Sequence, residues 1–205
     1  MNELKIYNEY KKYGVNEYYK KYASCYFNPH EEKIKNNFKK ILEDVNLISN
    51  SNSYSHLISK NKKLDINKKF DILDIACGDG LVFKILNYYL NEYNEYKNIK
   101  VNIEGTDPYF NNKYCNYNYS FEDIANGKML NKKYDIGICC YAFHLLDKSW
   151  YFQFFNELCK FVNKFIIITP SKKIKINHDL WVEEQNYRTN DKITIIILKN
   201  LYSNI

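Results

Sequence analysis

Apolar positions along the chain follow two rhythms, and the change comes near Phe70. Before it the pattern is helical and mostly polar. Ile34, Phe38, Ile41, Leu42 and Val45 recur at three- and four-residue steps, which puts them on one face of a helix. Asn28-Pro29-His30-Glu31 reads as the start of that helix, with Asn28 as N-cap, Pro29 at the first helical position and Glu31 as the returning acid of a capping box. An earlier helix is predicted around Asn16–Cys25, carrying Tyr18, Tyr19 and Tyr22. Asn50–Ser53 and Asn61–Lys63 are turn-rich. They divide the expected helical extension, residues 1–64, from a second unit over 65–205.

From Phe70 onward short β-rich runs alternate with helical stretches. Strands are predicted at Phe70–Ile75, Lys100–Gly105, Tyr114–Tyr119, Tyr134–Cys140 and Lys164–Thr169, with helices near Gly80–Tyr93, Phe121–Gly127 and Trp150–Val162. That alternation calls for a parallel sheet covered on both faces. The last two runs, Leu180–Arg188 and Lys192–Leu198, are separated only by Thr189-Asn190-Asp191. So short a link cannot cross over the sheet, so the pair must be an antiparallel hairpin. The expected fold is therefore α/β: a seven-stranded, mostly parallel sheet with a C-terminal antiparallel hairpin, helices on both faces and a helical N-terminal extension.

Composition narrows the setting. A length of 205 residues suits one α/β domain with a modest addition. The longest apolar runs, Phe165–Ile168 and Ile193–Leu198, have strand length, so no membrane span is expected. The opening MNELKIYNEYKKYG lacks the apolar core of a signal peptide, and the expected compartment is the cytoplasm. Six cysteines stand at 25, 77, 115, 139, 140 and 159 without CxxC or metal-like spacing, which fits packed, reduced thiols and no metal. Cys139 and Cys140 are neighbours in one strand and should face opposite ways. The net charge of +6 lies wholly in residues 1–70, where 14 Lys meet 8 acids. A basic segment there is either a solvated helical face or an attractor for an acidic partner.

The most specific local signal is Phe70-Asp71-Ile72-Leu73-Asp74-Ile75-Ala76-Cys77-Gly78-Asp79-Gly80. A buried strand ends in an acid, and a loop of small residues then opens a helix. Gly78 and Gly80 permit a tight turn and close approach of a ligand, the helix start offers unpaired N–H groups, and Asp74 suits a cation. A dinucleotide fingerprint is excluded because no third glycine follows, and a P-loop because no Gly-Lys-Ser/Thr ending does.

This loop resembles the first motif of class I, Rossmann-like S-adenosylmethionine-dependent methyltransferases, approximately D-x-[GA]-C-G-x-G. The resemblance extends over about residues 65–200. It implies that Asp74, Ala76, Cys77, Gly78 and Gly80 surround the methionine part of S-adenosyl-L-methionine. It implies further that Asp107 and Pro108, after the second strand, hold the ribose, and that Phe121 and Glu122 line the adenine pocket. Ser120 stands where many members have Asp. Tyr134–Leu146, including Cys140, corresponds to the fourth strand and its exit, near the transferred methyl. Tyr19, Tyr22 or Tyr26 is expected to help close the pocket, because a ring face favours a sulfonium. Tyr26 and His144 are the candidates for a chemical role. GVNEYYKKYASCYFNPH, YSFEDIA and ITPSKK are also similar to a little-characterised group of stand-alone eukaryotic methyltransferases. No acceptor is implied: a small molecule is slightly favoured over RNA or protein, and a non-catalytic binding subunit is the third reading.

Overall fold

The strands form where β-branched and apolar residues run together, and their register is fixed by which face each side chain buries. The structure is a computed structural model, and it describes residues 8–9, 12–22, 28–45, 69–93, 99–128, 132–171, 174–176 and 178–202. Two helices, α1 (Val15–Tyr22) and α2 (Glu31–Asp44), precede β1 (Lys69–Ile75) and α3 (Leu81–Glu92). Then come β2 (Lys100–Thr106), β3 (Cys115–Tyr117), α4 (Phe121–Ala125), β4 (Tyr134–Cys140), α5 (Tyr151–Leu158), β5 (Val162–Thr169), β6 (Trp181–Arg188) and β7 (Thr194–Asn200). Single 3-10 turns at Phe143–Leu145 and Lys148–Trp150 link β4 to α5.

The seven strands lie in the order β3-β2-β1-β4-β5-β7-β6. All run parallel except β7, which is antiparallel to both β5 and β6. The expected fold is thus the observed one. Its strand order reverses between β1 and β4, and crevices at the carboxyl ends of strands flanking such a reversal are where open α/β sheets bind ligands.

Alternation along the strands splits the core into two layers. Ile72, Ile136, Ile138, Ile166, Ile168, Ile195 and Ile197 face α2 and α3, which contribute Ile34, Phe38, Ile41, Leu42, Ile85 and Leu86. Leu73, Ile75, Phe165, Ile167, Ile196 and Leu198 face α4 and α5, which contribute Ile124, Phe154, Phe155 and Leu158. Each such side chain, fully buried, stabilises the fold by roughly 1.5–3 kcal/mol before ordering costs. Cys139 packs in the second layer and Cys140 against the first, as neighbours on a pleated strand must. Cys25 lies outside the described residues, and the five described cysteines are unpaired thiols.

Several boundaries moved, each for a local reason. The helix beginning near Asn28 starts at Glu31: Asn28 Oδ1 accepts the His30 N–H at 2.9 Å, so its side chain closes a turn just ahead of the helix. β3 is three residues long because Asn116 Oδ1 takes the Gly105 N–H at 2.9 Å, where a ladder bond would otherwise form. β5 begins at Val162 rather than Lys164, because α5 ends at Leu158 and the chain turns at once through Cys159-Lys160. β7 begins at Thr194, since Lys192 adopts φ 64° in the hairpin turn. The loops expected at Asn50–Ser53 and Asn61–Lys63 lie outside the described residues. Among the described residues no helix is long and apolar enough to cross a membrane.

Candidate functional site

The loop after β1 turns through three left-handed positions, Ala76 (φ 59°), Gly78 (φ 55°) and Gly80 (φ 82°). Glycine takes such φ values freely, whereas Ala76 does so at a cost of about 1–3 kcal/mol. The loop is held from the neighbouring strand. Cys77 N–H donates to Thr106 O at 3.1 Å, and Gly78 N–H donates to Asp107 Oδ2 at 3.1 Å. Asn112 Nδ2 donates to Gly78 O at 3.0 Å. Asp107 Oδ1 also accepts the N–H groups of Tyr109 and Phe110, at 2.9 and 3.3 Å, so one carboxylate fastens two loops together. Burial pushes the Asp107 carboxyl up, and the three N–H donors oppose that without cancelling it.

These loops border a cleft enclosing about 990 Å³ out to its open mouth. Its lining follows the order of the strands. Tyr119, Ser120, Phe121 and Glu122 come from the end of β3, and Asp107, Pro108, Tyr109 and Phe110 from the end of β2. Asp74 through Asp79 come from β1, and Cys140, Tyr141, Ala142 and Leu145 from β4. Asp74 stands at the centre of this row. It is 2% exposed, and its Oδ1 has no hydrogen-bond partner. Burial, reinforced by the nearby Asp107 and Asp79, pushes its carboxyl well above the usual carboxylate range. A buried, unsatisfied carboxylate is costly, and the ligand that relieves it is a cation or a hydrogen-bond donor.

Nine of the ten residues expected at a cofactor share this cleft: Asp74, Ala76, Cys77, Gly78, Asp107, Pro108, Phe121, Glu122 and Cys140. Gly80 is not in the lining. It opens α3 against the ring of Tyr114, which a Cβ at position 80 would overlap. Cys77 is kept as a thiol by its hydrogen bond with Cys115 and by burial. His144 is exposed on the 3-10 turn and does not line the cleft, whereas its neighbour Leu145 does. Tyr26 lies outside the described residues.

Ser120 and Asp123 form a reciprocal capping box at the start of α4, with Asp123 N–H on Ser120 Oγ at 3.1 Å and Ser120 N–H on Asp123 Oδ2 at 3.0 Å. Asp123 also pairs with Lys128, whose hydrogen bond lowers its carboxyl below the usual range. The acidic pair thus divides: Asp123 serves the helix and Glu122 faces the cleft. Phe121 N–H belongs to the first turn of α4, where donors have no intrahelical partner.

The N-terminal segment borders the cleft. Tyr19 lines it and stacks on Tyr109, with centroids 5.5 Å apart and an interplanar angle of 15°. His30 packs on Tyr141 at 4.6 Å. Asn28 also lines the cleft. Tyr22 does not; its hydroxyl lies 3.4 Å from Glu9 Oε2. Tyr141 (φ 59°), like Ala76, is a non-glycine residue in the left-handed region, and both strained residues border the cleft. Sequence reasoning read Asn28 only as a cap and passed over Tyr109 and Tyr141. Position immediately after a strand end was the signal that marked them.

No protein-family model matches the chain, and no curated protein matches it. Solved structures do. Magnesium protoporphyrin IX methyltransferase from Synechocystis, with bound SAM, is similar over 98% of this chain and 98% of its own, at 10% identity and a TM-score of 0.45. A candidate methylase from Haemophilus influenzae is similar over 84% of this chain and 99% of its own, at 14% identity and 0.44. A candidate ribosomal RNA methyltransferase from Plasmodium falciparum matches 74% of this chain and 97% of its own, at 16% identity and 0.41. Likenesses this distant carry no activity over to the chain.

Proposed function

We propose that the chain is an S-adenosyl-L-methionine-dependent methyltransferase acting on a small molecule. The observation that carries this reading is Asp74 Oδ1, buried and without a partner in a cleft at the reversal of strand order. The residues present fit the cofactor. Asp74 would take its ammonium group, and the left-handed loop Ala76–Gly80 lets the backbone come close beside it. Asp107, already accepting three backbone N–H groups, would offer its remaining acceptor capacity to a ribose hydroxyl. Phe121 N–H and Glu122 would meet the adenine edge. When bound, the cofactor supplies a methyl carbon already activated by positive sulfur.

The protein's own work is then alignment and exclusion of water. Asp107, accepting three N–H donors, ties the loop after β2 to the loop after β1 before a ligand arrives. Tyr19 on Tyr109 and His30 on Tyr141 support a role for the N-terminal segment in closing the site. Isothermal calorimetry tests the reading. One S-adenosylmethionine per chain is expected, with binding lost in Asp74→Asn; heat-silent mixing, or equal affinity in the variant, would refute it.

A further inference from the structure

The cleft has an electrical asymmetry that bears on what receives the methyl group. Its charged lining residues are Asp74, Asp79, Asp107 and Glu122, and no Lys, Arg or His is among the described residues of the lining. Asp79 is paired with Lys84 at 2.7 Å, which leaves three carboxyl groups facing the interior. All three lie at the ends of β1, β2 and β3. The part formed by the exit of β4 is uncharged: Cys140, Tyr141, Ala142 and Leu145, with Asn28 from the N-terminal segment. Burial pushes the Cys140 thiol well up, so it is neither an anion nor a base there. With the amino-acid part of the cofactor drawn to Asp74, an acceptor has this uncharged end to itself.

Three consequences follow. No described residue lining this end is a His, Lys or Arg, with His30 and His144 beside it but outside the lining, so the attacking atom is one that carries a free lone pair without losing a proton. An anion finds no cationic partner among the described lining residues, which disfavours phosphates, carboxylates and thiolates. Tyr141, which lines the cleft and packs at a tilt against His30, offers an aromatic surface to a flat ring or a cation. The charge balance of transfer agrees. When a neutral nitrogen attacks, its lone pair forms the new N–C bond while the C–S pair returns to sulfur. The positive charge moves from sulfur to nitrogen, and no proton is released. The carboxyl groups thus face one positive charge before, during and after the step. An anionic acceptor would annihilate that charge and forfeit their attraction in the transition state.

We propose that the acceptor is a small planar nitrogen base, of pyridine or imidazole type, seated against Tyr141, Ala142 and Leu145 and methylated to a cation. This rests on the reading of the cleft as a sulfonium-cofactor site, and the test keeps the two apart. The full chain is first titrated with S-adenosylhomocysteine; no binding would remove the proposed function and this inference together. The loaded protein is then titrated by saturation-transfer NMR with three probes of one shape: isoquinoline, N-methylisoquinolinium and 2-naphthoate. The first two are expected to bind at least tenfold more tightly than naphthoate, by a margin that shrinks as salt is raised. Leu145→Lys is expected to reverse the order. Tight cofactor binding with naphthoate equal to or ahead of isoquinoline in the wild type overturns the acceptor class alone. So does a ranking that Leu145→Lys leaves unchanged in a folded variant.

Discussion

Asp74 and Glu104 are near neighbours on adjacent strands, yet the fold treats them in opposite ways. In the β1–β2 register Leu73 lies opposite Glu104 and Asp74 opposite Gly105, so the pleat sends the two carboxyl groups to different faces. Glu104 is fully engaged. Its Oε2 accepts the hydroxyls of Tyr134 and Tyr117, at 2.6 and 2.9 Å, and its Oε1 pairs with Lys132. Burial raises its carboxyl, but the bonds from Lys132, Tyr134 and Tyr117 prevail and hold it at about 2. Asp74 has burial without such partners, and its carboxyl rises. The satisfied acid belongs to the structure; the unsatisfied one is the group the proposed function assigns to a ligand. A buried carboxyl oxygen left without a hydrogen-bond partner is therefore the better marker of function.

The sharpest way to break this contrast is to neutralise each acid in turn. Asp74→Asn is expected to lower S-adenosylmethionine affinity about 100-fold, the scale of a lost charge-assisted contact of about 3 kcal/mol. The unliganded variant should melt at the wild-type temperature or above it, because a raised carboxyl opposes folding wherever it must ionise. Calorimetry and scanning calorimetry on the same sample read both effects. A large drop in melting temperature would put Asp74 in the same class as Glu104.

Glu104→Gln should do the reverse, destabilising the protein by about 3 kcal/mol while leaving cofactor affinity within twofold. Its pH signature has a definite sign. The folded value of about 2 lies below the ordinary value of 4.5, so the contribution is complete above about 4.5 and disappears as pH falls toward 2. Urea titrations across that range should show the wild type losing this increment and Glu104→Gln not losing it. Parallel curves would mean the network contributes nothing.

Two smaller effects sharpen the comparison within the cleft. Asp107→Ala should weaken cofactor binding by about 1–3 kcal/mol, and it should also speed amide exchange at Gly78, Tyr109 and Phe110, whose N–H groups it receives. Unchanged exchange would reduce Asp107 to a ligand contact alone. Ala76→Gly should raise stability by about 1 kcal/mol, by relieving the left-handed φ. A loss of stability measured by denaturant midpoint would show that the backbone at position 76 is not strained.

Much of this architecture was legible one strand at a time. The sequence also contained a detail that went unused. Ile195–Leu198 is a continuous apolar run, as a strand buried on both faces should be, whereas β6 carries Glu183, Glu184, Gln185 and Asn186 in succession. That difference places β7 inside and β6 at the edge, as found. The site was less legible. Asp74, Gly78 and Asp107 belong to recognisable strand-end patterns, but Glu104 looked like any strand acid. Its partners Lys132 and Tyr134 lie about thirty residues away and meet it only when β4 is laid beside β1.

Local chemistry, then, was enough to fix where strands and helices fall, that the last two strands form a hairpin, and which loop turns through glycines, since those depend on neighbours a few residues apart. Two things needed the assembled molecule: that Glu104 is satisfied by Tyr117, Tyr134 and Lys132, and that Asp74, among the described residues, is the buried acid with an oxygen left without a hydrogen-bond partner. Whether a buried charge is satisfied depends on every atom around it, and those atoms come from segments that only folding brings together.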